Sequence, residues 1–177
     1  MAKPAVRIFR TYWRLYGGFS ALFGSPYLYV GLALTGLLAP FWLEVDEKGG
    51  RLWAQTAIDT VPSMLGFSMG GMAIMLAFSN ASIFGAITQK GSPTSYFVTV
   101  VANFYHFILV QTLAILSALA CMAYPNDFTS AVGFFVFSYA ILVGIATAGQ
   151  LLGTAQIFNA SASLPVSKEP QPDSDEQ

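Results

Sequence analysis

His106 is the one histidine in the chain. It shares a helical face with Thr99 and Asn103: at about 100° per residue the three fall within about 60° of one another, with Gln111 about one turn further along and displaced to the side. An imidazole, a carboxamide and hydroxyls inside an apolar helix can line a pore or relay a proton. They can equally serve as hydrogen bonds between neighbouring helices, which is the plainer account. Under either reading they must face protein or water, because exposing them to lipid leaves hydrogen bonds unmade at several kcal/mol each.

Other chemistry is missing from the sequence. One imidazole does not make a metal site, and haem ligation by two histidines would need a second chain in symmetric register. Cys121 is the only cysteine and has no disulfide partner in its own chain. There is no HExxH, no GxSxG, no phosphate-cradling loop and no pair of acids placed to share a reaction. No enzyme activity, metal or cofactor is therefore expected. Asp59, before Thr60-Val61-Pro62, reads as a helix cap rather than an ion ligand.

The most specific pattern is one of small residues. Ser63, Gly66, Gly70, Ala73, Ala77 and Asn80 recur at alternating steps of three and four, so a single seam runs along one helix. Lipid gives helices no hydrophobic reason to associate, and close backbone approach along such a seam is how they gain packing energy. The seam can pack on another helix of the same chain or join two subunits. Ala140 to Gly144 and Gly149 to Gly153 repeat the theme near the C-terminus.

Near the N-terminus, Lys3, Arg7, Arg10 and Arg14 form one stripe, with Phe9, Tyr12, Trp13 and Tyr16 opposite. That division describes a basic amphipathic helix in the membrane interface over residues 1–20, its rings at the headgroup boundary and its guanidinium groups toward anionic lipid. Gly17 and Gly18 end it.

The elements that carry these residues follow from composition. Hydrophobic residues make up 55% of the 177 and charged residues 10%, well below the roughly 25% charged of a soluble domain. Between Leu52 and Ser167 only Asp59, Lys90 and Asp127 are charged. Uncharged stretches of that length are read as membrane-spanning helices. The fold expected is an all-α membrane protein: a four-transmembrane-helix bundle with crossings at about 26–43, 61–88, 95–122 and 130–158, after the N-terminal interfacial helix. Leu52 to Ile58 reads as a short interfacial piece, and the proline-rich acidic tail over 159–177 as disordered. The first apolar stretch ends at Trp42-Leu43-Glu44-Val45, which lacks a small-residue cleavage site, so it reads as retained rather than as a signal peptide.

Lys and Arg concentrate before the first crossing, which by the positive-inside rule puts both termini in the cytoplasm and the loop from Glu44 to Arg51 outside. A net charge of −1 and no extended basic patch exclude a nucleic-acid partner. The expected partners are the bilayer itself, anionic lipids at the N-terminus, and other membrane subunits or further copies of the chain. The expected function is a small inner-membrane protein that serves as the membrane module or scaffold of an assembly. The alternative is an oligomeric channel or pore-forming effector lined by Thr99, Asn103, His106 and Gln111, which conductance across a planar bilayer would reveal.

Overall fold

The computed structural model describes residues 4–77, 88 and 91–162. Among the described residues seven helices follow in order: α1 (Pro4–Tyr16), α2 (Gly18–Gly24), α3 (Pro26–Leu37), α4 (Ala39–Leu43), α5 (Leu52–Ala77), α6 (Tyr96–Ala123) and α7 (Asp127–Ala162). The chain is an all-helical membrane protein. Helices α5, α6 and α7 are each long and apolar enough to cross a membrane, and α2 with α3, bent by 52° at the break between them, makes a fourth candidate. Among the described residues the only strand-like pairing is an isolated bridge between Val45 and Arg51.

Backbone chemistry explains the breaks near the N-terminus. Helix α1 stops at Tyr16 because Gly17 and Gly18 take φ of +99° and +61°, a region other residues rarely enter. Pro26 forces Ser25 into extended backbone, which separates α2 from α3. The stretch expected as one crossing over 26–43 is thus three pieces with α2, kinked again at Leu38 before Pro40. The Trp42 indole N–H donates to the Thr35 carbonyl at 2.7 Å across that kink.

Helix α5 begins at Leu52 rather than near Val61, and Pro62 lies inside it. The expected cap at Asp59 does not form; Asp59 instead accepts from Gln55 at 2.9 Å. An interior proline costs a helix about 3 kcal/mol. Burial of the first turns supplies more than that, since Trp53, Ala54, Ala57 and Val61 are all fully buried. The Trp53 N–H donates to Ser130 Oγ at 2.7 Å, and Ser130 donates to the Trp42 carbonyl at 2.6 Å. Helix α6 starts where expected, with Ser95 Oγ accepting from the Val98 N–H as an N-cap. Helix α7 runs past the expected 130–158 at both ends.

Helix α6 is central and packs on both α5 and α7, while α3 and α4 lie along α7. The main core gathers Trp53, Val61, Phe107, Val110, Phe134 and Phe137. The loop over 44–51 closes on itself through Asp46, whose Oδ1 accepts from the backbone N–H groups of Lys48 and Gly50. It leads into Arg51, which donates to the Leu43 carbonyl at 2.6 Å and to Asp127 at 2.5 Å, tying α4, α5 and α7 together at that end of the bundle.

Candidate functional site

The polar side chains of this bundle meet around His106. Helix α6 presents its imidazole, 5% exposed, toward α1 and α7. The Tyr12 hydroxyl lies 2.7 Å from Nδ1, and the Tyr139 hydroxyl 3.3 Å from Nε2. Tyr16 stacks on the imidazole with ring centroids 3.9 Å apart. A pocket of about 210 Å³ beside these rings also touches Ser25, Tyr27 and Asn103. With Tyr12 donating to Nδ1, the Nε2–H donates to Tyr139; the other tautomer reverses the chain. Burial first, then the Tyr105 and Tyr139 phenols, pushes the Tyr12 hydroxyl up to about 12, and burial raises Tyr16 as well. The Tyr12 phenol therefore stays neutral.

With both imidazole nitrogens engaged by phenols, His106 cannot ligate a metal without giving up a hydrogen bond. What the arrangement does is bind elements together. Along α1 from Arg7 to Leu15, and along α6 from Val98 to Tyr105, the two helices line one cleft side by side. Tyr12 also meets Tyr105 edge-on at 4.8 Å. Tyr12 is 6% exposed, so this ring is taken into the protein rather than left among headgroups. The Tyr12–His106–Tyr139 chain fastens the basic helix to the bundle. Arg7, at the rim of that cleft, and Arg10 and Arg14 beyond it remain exposed, while Lys3 lies outside the described residues.

The polar face expected on α6 is divided. Thr99 and Asn103 are half-buried, with the Thr99 hydroxyl donating to the Ser95 carbonyl, and Asn103 shares the His106 pocket. Gln111 is fully buried and turns to a different cavity, between α5 and α7. The structure brings Asn103 and His106 together and separates Gln111 from them. Tyr16, Ser25, Tyr27 and Tyr139 complete the pocket, and Tyr12 bonds the imidazole from the neighbouring cleft; none carries a local signal, since His106 is 94 residues from Tyr12 and 33 from Tyr139.

The small-residue seam lies in the open. Ser63, Gly66, Gly70, Ala73 and Ala77 are exposed, and a Cβ built at Gly66 or Gly70 meets nothing within 4 Å. The buried face of α5 is instead Trp53, Ala57, Val61, Ser68, Gly71 and Met75. At about 100° per residue that face points roughly opposite to the seam. Asn80 lies outside the described residues. On α7, Ala140 is buried and a Cβ at Gly144 would stand 2.8 Å from Met64, so this pair packs inside the chain. Gly149 is open, and Gly153 faces the Tyr96 hydroxyl at 3.6 Å. No protein-family model, curated protein or solved structure matches this chain.

Proposed function

We propose that the chain is the membrane module of an oligomeric assembly, joined to a second copy of itself through the seam on α5. The observation that supports this reading is the seam itself: five small residues in register on a face that no other described helix covers. Small residues gain little from lipid contact and much from close approach of another helix, and a face of this kind is self-complementary across a two-fold axis. Helix α1, latched through Tyr12 and His106, presents Arg7, Arg10 and Arg14 to anionic headgroups or an acidic partner. The concentration of basic residues before the first crossing supports a reading in which both termini are cytoplasmic.

Cysteine cross-linking tests the contact. A cysteine replacing Ala73 on the seam should give a disulfide-linked dimer in vesicles, whereas one replacing Leu116, exposed on α6, should not. Adding Gly70→Ile should abolish the Ala73→Cys dimer. Equal cross-linking from both positions, or none from either, would remove the seam as an interface.

A further inference from the structure

A second cavity, of about 480 Å³, lies between the middle turns of α5 and α7, away from the His106 pocket. Met64 and Phe67 wall one side, Ile141 and Ile145 the other, Ser63 stands at the rim and Gln111 of α6 forms the floor. Gln111 is 0% exposed, and neither its carboxamide oxygen nor its nitrogen has a hydrogen-bond partner. Buried polar groups are nearly always paired, because an unpaired one has given up its bonds to water for nothing in return. The nearby hydroxyl of Ser68 is already committed, donating to the Met64 carbonyl at 3.0 Å.

We propose that this groove binds a neutral, lipid-soluble molecule with a hydrocarbon chain and one carbonyl or hydroxyl group, whose oxygen is held by the Gln111 carboxamide. The lining contains no charged residue, so a charged headgroup finds no counter-charge there. Phe67, Ile141 and Ile145 are 60%, 39% and 60% exposed, so the mouth opens toward hydrocarbon. The depth selects among lipids. Met64, Gln111 and Gly144 each sit within two residues of the centre of their helices. Whichever window of about 20 residues of α6 fills the hydrocarbon, Gln111 lies within about 8 Å of the midplane. The ester carbonyls of a bilayer phospholipid stay near the headgroups, whereas a free neutral amphiphile can sink to that level. The carboxamide is enclosed at rest, and a rotamer change of Gln111 or of Met64, both unbranched, opens it to the groove. The site does not depend on self-association through the seam.

The test uses the full chain in nanodiscs, photolabelled with hexadecanol carrying a diazirine. Labelling is expected on Phe67, Ile141 or Ile145, and excess hexadecanol should compete about tenfold better than hexadecane, as one hydrogen bond in an apolar site allows. Gln111→Leu should erase that preference. Ala148→Phe, which fills the groove from an exposed position, should remove the labelling while leaving helix content unchanged. Equal competition by alcohol and alkane would overturn the proposal. So would equal labelling from a phosphatidylcholine bearing the same diazirine chain, or cross-links showing that a second copy fills the groove.

Discussion

Replacing Tyr12 by phenylalanine removes one hydroxyl and keeps the ring that packs edge-on against Tyr105. The loss comprises the 2.7 Å hydrogen bond to His106 Nδ1 and leaves a nitrogen of this buried ring without its phenol partner. Removing one partner of a buried hydrogen bond and stranding the other costs about 1–3 kcal/mol, so docking of α1 should weaken by about 2 kcal/mol. At 1.36 kcal/mol per decade this is about a 30-fold rise in the undocked population. The readout is a thiol beneath α1. Ala102 lines the cleft between α1 and α6 and is 5% exposed, so a cysteine there reacts with a maleimide only when α1 lifts. Cys121, fully buried, stays silent. With fast opening and closing, the labelling rate follows the open population and should rise about 30-fold in Tyr12→Phe. His106→Phe should give a similar rise and the double variant little more, since both remove the same bond. A Tyr12→Phe rate within twofold of the parent would refute the latch.

Four further substitutions test the packing and the ion pair. At Gly133 an added Cβ would stand 2.5 Å from Trp53 Cη2, so Gly133→Ala should cost about 1–3 kcal/mol in thermal unfolding. Gly66→Ala, with nothing of its own chain within 4 Å, should leave the stability of the single chain, measured in a non-associating Gly70→Ile background, unchanged or raise it by up to about 1 kcal/mol. For the ion pair, Asp127→Asn should destabilise more than Arg51→Met, by about 1–2 kcal/mol. The first strands a guanidinium whose side chain is 7% exposed, and the second leaves a carboxylate that is 75% exposed to water. Equal losses would show that Arg51 acts through its bond to the Leu43 carbonyl alone.

How much of this was legible in the sequence depended on whether the deciding contacts were local. The long apolar helices were plain from composition, and α6 begins at the Ser95 cap because capping is a matter of four residues. Pro62 misled because a local rule met a distant contact: Trp53 packs against α7 and carries the helix through the proline. The seam was visible as a spacing, but spacing is silent on which face a bundle covers. That was decided by Trp53, Ala57, Val61, Ser68, Gly71 and Met75, whose own steps of three, four and seven residues are masked by their mixed sizes. His106 and Gln111 stood out as polar residues in an apolar helix. Their separation into two cavities follows from about 140° between them around α6, and the tyrosines that occupy His106 come from α1 and α7.

Association through the face of α5 that no other described helix covers fixes how many chains travel together, and the mass of the nanodisc-embedded protein reads that number. The expected protein mass is two or more times that of the 19.0 kDa chain, falling to a single chain in the Gly66→Ile, Gly70→Ile variant with helix content unchanged. A wild-type protein at the mass of one chain, or a variant that assembles as the wild type does, would contradict it.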